Sequence, residues 1–439
     1  MLGASVVVAA PVRATPATPN DPEFPLQWNL RMIGAPAAWP VATGAGSTIA
    51  VVDTGVDLHH EDLANKIVGH ADCIGAGALG HVCTDGGTAG QDDNGHGTHV
   101  AGIAAAATDN QTGVAGTAPD ASILAVKVLV SECEGCTASG SGDDVAAGIR
   151  YAADHGAVVI NLSLGNQAQA ILGPAFQTAL DYAFSKGAVP VIAAGNDFVL
   201  PSGTGAQHAI VVGALNRQGV KATYSNIGTA QWAIMAPGGD LGDTSSSCES
   251  APISVLSTYL GGYACLAGTS MAAPHVAGAA AVLRGLGLSA QQTVDRLLAT
   301  ARPLATTAAD GVGALDLAAA VGQPPTPPPD DAPTTTTPPT TPDNGGSTGG
   351  TSSGSTGLPS GDLGSPTAPD ATGAITLPTQ RAAAPSGKVT TRTPAANNDG
   401  LSSGVVAVAV VLAAGVSVAL GWLFIRGQSW ARRTPRLDR

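Results

Sequence analysis

The chain has 439 residues, 44% of them apolar but only 3% aromatic, so any core rests on Ala, Val, Leu and Ile. Charged residues make up only 12% and the net charge is −13. Because basic residues cluster only at the C-terminus, this balance argues against nucleic acid as a partner.

Residues 1–19 carry an apolar run, Leu2 to Val12, closed by Ala10-Pro11-Val12-Arg13-Ala14. They read as a signal-like segment or an N-terminal extension, although the basic start of a signal is missing. From 20 to 321 the pattern alternates. β-Branched runs predict buried strands over Thr48–Asp53, Ser122–Val128, Ala157–Leu162, Val189–Ala194 and Ala209–Ala214. Helical patterns lie over Gly97–Ala107, Asp143–His155 and Pro174–Lys186. Strands apolar throughout and separated by helices point to an α/β fold: a three-layer αβα arrangement around a mostly parallel central sheet. Function in such sheets gathers at the carboxyl ends of the strands.

Cys73, Cys83, Cys133, Cys136, Cys248 and Cys265 fall in three sequence-local couples within this domain. In an exported chain they read as disulfides, with the pairing left open. A metal or redox reading of Cys133-Glu134-Gly135-Cys136 lacks a second pair at zinc spacing and a helix opening at the motif.

Residues 322–400 are Pro/Thr-rich, then Gly/Ser/Thr-rich, and cannot form a core; they read as a disordered linker. Residues 401–425 contain the uncharged run Val405 to Ile425, long enough for one transmembrane helix. The tail 426–439 carries Arg426, Arg432, Arg433, Arg436 and Arg439, which predicts a cytoplasmic C-terminus and an outward-facing folded domain. Leu377-Pro378-Thr379-Gln380-Arg381 departs from a sortase signal, so a retained membrane span is expected.

Four stretches carry chemistry. Ile49-Ala50-Val51-Val52-Asp53-Thr54-Gly55 ends a strand in a carboxylate. An aspartic protease would need a second such loop, and none occurs. Asn94-Gly95-His96-Gly97-Thr98-His99 sets an imidazole between glycines at a helix opening; a metal reading of His96 and His99 lacks an accompanying carboxylate-bearing helix. Gly268-Thr269-Ser270-Met271-Ala272-Ala273-Pro274 puts a hydroxyl at a helix N-terminus, with Pro274 expected in the first turn, where its missing N–H costs little. Val191-Ile192-Ala193-Ala194-Gly195-Asn196 adds an amide just past a strand end.

In the order Asp53, His96, Asn196, Ser270, these segments closely resemble the subtilase family of serine proteases, whose chain order and triad are well described. Asn20-Asp21-Pro22-Glu23-Phe24 and Thr112-Gly113-Val114-Ala115-Gly116-Thr117 are similar to the thermitase-like branch. The resemblance implies a subtilisin-like fold and peptide-bond hydrolysis, with Ser270 as nucleophile, His96 as general base and acid, and Asp53 orienting the imidazole. Asn196 and the Ser270 N–H would bind the oxyanion. It implies substrate binding by Ser163, Leu164 and Gly165, which pair with the peptide backbone, near an opposing strand at Ser139-Gly140-Ser141-Gly142. Ala193, Ala194 and Gly195 would wall a small, apolar specificity pocket, giving broad specificity with an apolar preference. It also implies a structural calcium ion on Asp21, Asp62 and Asn110, with carbonyls from Ala107, Thr112 and Val114. Catalysis itself needs no cofactor. The expected partners are protein or peptide substrates and, through the C-terminal helix, a lipid bilayer. The layout of protease, Pro-rich linker, span and basic tail is also similar to the mycosins of type VII secretion, which would add a secretion-system partner. A catalytically silent binding protein on the same fold is the competing class, and the filled catalytic positions argue against it.

Overall fold

The computed structural model describes residues 17–76, 82–164, 173–196, 206–226, 230–243, 245–304, 313–327 and 374–376. The apolar N-terminal run, the uncharged run Val405 to Ile425 and the basic tail lie outside the described residues. Among the described residues no helix is long and apolar enough to cross a membrane.

Strands β1 (Thr48–Asp53), β2 (Ile67–Asp72), β3 (Thr84–Asp85), β4 (Ser122–Lys127), β6 (Val159–Leu162), β7 (Val189–Ala193), β8 (Ile210–Leu215) and β9 (Ala233–Pro237) form one sheet. The order is β3-β2-β4-β1-β6-β7-β8-β9. Every pairing is parallel except that of the short edge strand β3 with β2. A short strand between them in sequence, β5 (Ser139–Ser141), stands outside this sheet.

The alternation of side chains along β1 separates two cores. Ile49 and Val51 face one apolar cluster with α1 (His96–Ala105) and α4 (Thr269–Gly285). Ala50 and Val52 face the other, with α2 (Gly142–Asp154) and α3 (Gly173–Ser185). The three-layer αβα reading therefore holds, because strands flanked by helices on both faces must be apolar at every position. Each fully buried Val, Leu or Ile contributes about 1.5–3 kcal/mol to this burial. α2 starts where Ser141 accepts from the Asp144 N–H, with Asp143 and Asp144 in the first turn.

A two-stranded antiparallel hairpin, β10 (Val255–Tyr259) and β11 (Gly262–Leu266), delivers the chain into α4. The three cysteine couples close as Cys73–Cys83, Cys133–Cys136 and Cys248–Cys265. The fold continues past the composition change at 322. Thr326 donates through N and Oγ1 to Asp316, and Arg302 donates to the Thr326 and Pro327 carbonyls. Farther on, inside the stretch whose composition argues against structure, Ala374–Thr376 forms a strand, β12, paired antiparallel with β5.

Candidate active site

Asp53 is the last residue of β1 and is fully buried. Its Oδ1 accepts from His96 Nδ1 at 2.7 Å and from the Thr54 N–H at 2.7 Å. His96 is the first residue of α1. The helix opening fits closely over the strand end: a Cβ at Gly97 would stand 2.0 Å from the Gly55 carbonyl oxygen. Gly97 N donates to Thr54 Oγ1, and the Thr54 carbonyl accepts from Lys127 Nζ. Asn94 Oδ1 accepts from His96 N, while Asp92 accepts from the N–H groups of Asn94, Gly95 and Thr98. Asp53 holds the ring, and Asn94, Asp92 and Thr54 hold the helix opening that carries it.

Burial opposes protonation of His96, but the charge of Asp53 and its hydrogen bond, aided by Asp92, outweigh it and hold the imidazole above its ordinary value. His99 behaves oppositely. Its Nε2 lies 3.1 Å from the Val255 carbonyl and 3.0 Å from that of Ala264, and burial pushes its pKa down to about 3. It is a neutral packing residue between α1 and the hairpin.

Ser270 is the second residue of α4 and is 4% exposed. Its Oγ donates to the Ser163 carbonyl at 3.2 Å, and Ser163 Oγ donates back to the Ser270 carbonyl at 2.8 Å. Because α4 begins at Thr269, Pro274 falls beyond the first turn, contrary to the sequence expectation. Its absent N–H would have served the Ser270 carbonyl, four residues earlier. Ser163 Oγ supplies that missing donor. Ser163 directly follows β6, where Asn161 pairs with Val51, so Ser163 stands level with Asp53 one strand away. The carboxylate, the imidazole and the hydroxyl thus gather at one carboxyl rim. Among the described residues no hydrogen bond joins Ser270 Oγ to His96; such bonds commonly tighten only when substrate arrives.

Asn196 Oδ1 accepts from the Thr269 N–H at 2.9 Å and from Thr269 Oγ1 at 3.0 Å, while the Gly195 N–H donates to that same hydroxyl. Thr269 thereby fixes which end of the Asn196 amide faces it. The supporting roles of Thr269, Asn94 and Asp92 emerge only from these contacts, although Thr269 and Asn94 lie within the motifs that carry Ser270 and His96. Leu164, Ala193 and Ala194 are buried, as is Ser163, and Gly195 has a positive φ of 103°. Gly165 lies outside the described residues.

The residues expected to bind calcium also meet. Asp21 accepts from the Asp109 and Asn110 N–H groups, and Asp62 accepts from Asn110 Nδ2, the Val114 N–H and Tyr263 Oη. Both carboxylates are almost fully buried. Burial raises both pKa values against these hydrogen bonds, with the Asp109 charge adding at Asp21. Among the described ion pairs neither has a basic partner. Ala107 N donates to the Asp62 carbonyl, and the loop passes through positive φ at Asp109, Gln111 and Gly113, which brings Thr112 and Val114 back to the same corner. Among the described residues no cluster of three or more His, Cys, Asp or Glu side chains forms a metal site; this corner offers two carboxylates with amide and carbonyl oxygens. Two buried carboxylates outside the described ion pairs are hard oxygen donors of the kind that fits Ca²⁺.

The subtilase family model matches residues 44–322. Thermitase from Thermoactinomyces vulgaris is 42% identical over 294 residues, covering 64% of this chain and 94% of that protein. Subtilisin DY from Bacillus licheniformis is 38% identical over 294 residues, covering 63% and 91%. The solved structure of a protease from Pseudoalteromonas arctica superposes with a TM-score of 0.58 at 34% identity, covering 70% of this chain and 99% of that one. A parallel sheet whose rim gathers these side chains, matched by relatives of this kind over nearly their whole length, places the chain in the subtilase family as a subtilisin-like serine protease.

Proposed function

We propose that Asp53, His96 and Ser270 act as the triad of a membrane-anchored, extracytoplasmic endopeptidase. The observation that carries the reading is the 2.7 Å contact between Asp53 Oδ1 and His96 Nδ1 at the rim where Ser270 opens α4. With Nδ1–H donated to Asp53, Nε2 is the basic nitrogen. It takes the Ser270 proton as Oγ attacks the peptide carbonyl, then gives it to the leaving amine. Water, deprotonated by the same nitrogen, releases the acyl group. The developing oxyanion is met by the Ser270 N–H, one of the first-turn donors that α4 cannot satisfy internally, and by the Asn196 amide, oriented by Thr269. Small, buried walls at Ala193 and Ala194 support a preference for apolar side chains. Ser270→Ala is the test: peptide cleavage is lost while the melting temperature holds, and retained cleavage would overturn the assignment.

Asp21, Asp62 and Asn110, with the Ala107, Thr112 and Val114 carbonyls, would hold Ca²⁺, which supplies charge compensation to two buried carboxylates. The uncharged run Val405 to Ile425 and the arginines after it support a single-pass anchor with the protease domain outside. Alkaline carbonate extraction checks this: the full chain stays with the membrane and a chain ending at Gly400 is released. Release of both would remove the anchor.

A further inference from the structure

The strand β5 is an edge beside the rim just described. Val130 and Ser139 exchange N–H···O bonds at 2.9 Å, which covers one side of β5. A Cβ at Gly140 would lie 2.2 Å from the Val128 carbonyl oxygen, so β5 sits against the segment that leaves β4. Val128 N and Leu129 N both donate to the Asp53 carbonyl, at 2.8 and 3.3 Å. On the other flank, Gly135 N donates to the Asn94 carbonyl and Asn94 Nδ2 donates to that of Cys136. The turn leading into β5 therefore rests on the residue that accepts from His96 N. The first residues of β5 and the turn before them therefore lean on segments that also support the triad.

The resemblance sets the strand opposing the substrate at Ser139-Gly140-Ser141-Gly142, so on the protease reading the open side of β5 is where an extended peptide reaching Ser270 would add a strand. That side is taken by β12, in the register Ala374 to Ser141, Ile375 to Gly140 and Thr376 to Ser139. Antiparallel order sets Thr376, the C-terminal end of β12, at the end of β5 nearer the Cys133–Cys136 turn and His96.

We propose that the linker strand Ala374–Thr376 is an intramolecular competitor for the substrate-pairing edge of β5. The inference rests on the protease reading above. The same N–H and C=O groups of β5 serve either the linker or a substrate, since each can complete only one ladder on that side. A tether of this kind holds its segment at about millimolar effective concentration. Three residues pair weakly, so the edge is partly rather than fully occupied, and long substrates displace the linker at a measurable cost in KM.

Proline substitution separates the pairing from the linker's length and composition, because alternate N–H groups of a strand face its neighbour. Ile375→Pro removes one set, and the double variant Ala374→Pro with Thr376→Pro removes the other. In the full chain, one of these lowers KM for a chromogenic tetrapeptide about two- to tenfold, with kcat unchanged. Hydrolysis of a single-residue ester, too short to reach β5, stays the same in all variants. A tetrapeptide KM unaltered in both variants overturns the proposal while ester hydrolysis leaves the protease reading intact. Absence of ester hydrolysis in the parent chain overturns the protease reading and this inference with it.

Discussion

Ser163 and Ser270 exchange two hydrogen bonds: each hydroxyl donates to the other's carbonyl, at 2.8 Å from Ser163 and 3.2 Å from Ser270. The first compensates for Pro274, which cannot donate to the Ser270 carbonyl. The second parks the hydroxyl of Ser270 on the strand that the resemblance assigns to substrate. One pair of serines thus joins the helix N-terminus to the sheet rim.

Ser163→Ala is expected to leave the Ser270 carbonyl buried without its donor and to lower stability by about 1–3 kcal/mol. Pro274→Ala restores a helical N–H at that carbonyl, so it recovers part of this loss in the Ser163→Ala background. Urea unfolding of the four proteins in the cycle measures the coupling. Strictly additive effects would mean that the two residues do not share the carbonyl.

Thr269→Val keeps the volume of the side chain but removes the hydroxyl that bonds Asn196 Oδ1 and Gly195 N. With the Asn196 amide less firmly oriented, kcat falls by about tenfold, the worth of one hydrogen bond in the transition state, while KM changes little. Steady-state kinetics on a peptide anilide checks the split. A rise in KM alone would place Thr269 in substrate binding instead.

His96 must be neutral to accept the Ser270 proton. Its pKa is held up by Asp53, with Asp92 adding, against burial, so the acid limb of kcat/KM has its midpoint above the ordinary histidine value of 6.5. Asp53→Asn moves that limb down and lowers turnover by about 10⁴-fold, the size known for this triad in subtilisin and trypsin. The linkage has a definite sign. A raised folded-state pKa stabilises the fold below the unfolded value, and the contribution is lost as pH rises through the folded value. A limb at or below 6.5 in the parent protein would contradict the Asp53–His96 coupling.

Removing calcium with a chelator should lower the melting temperature by about 5–10 °C if the ion is held near a hundred times its dissociation constant. Because burial raises the pKa values of Asp21 and Asp62, protons compete with the ion, and the difference between the two melting curves narrows as pH falls toward the carboxylate range. Asp62→Asn removes the calcium dependence. Coincident curves with and without chelator at neutral pH would leave these two carboxylates without the proposed role.

The strongest strands were legible because they are short, β-branched and apolar throughout: β1 was expected over Thr48–Asp53 and occupies those residues. α1, α2 and α3 each fall within two residues of expectation. β2 escaped notice because Ile67-Val68-Gly69-His70-Ala71-Asp72 lies toward one edge, partly exposed, and carries polar residues among the apolar ones. β9, Ala233-Ile234-Met235-Ala236-Pro237, is short and ends in proline. The site's chemistry could be read from strand ends and helix openings, where residue type and position coincide. The supports could not, since Thr269 holding Asn196, and Ser163 filling the gap left by Pro274, depend on contacts across 73 and 107 positions. β12 was hidden for another reason: its stretch has the composition of a linker, and only pairing with β5 makes it a strand.

Intact-mass analysis after reaction with a fluorophosphonate tests the central claim most directly. A single adduct is expected, mapped to Ser270 by peptide sequencing, absent in Ser270→Ala and formed far more slowly in His96→Ala. An adduct on a different hydroxyl, or labelling of Ser270 at the same rate without the imidazole, would contradict the assignment of Ser270 as a nucleophile activated by His96 and Asp53.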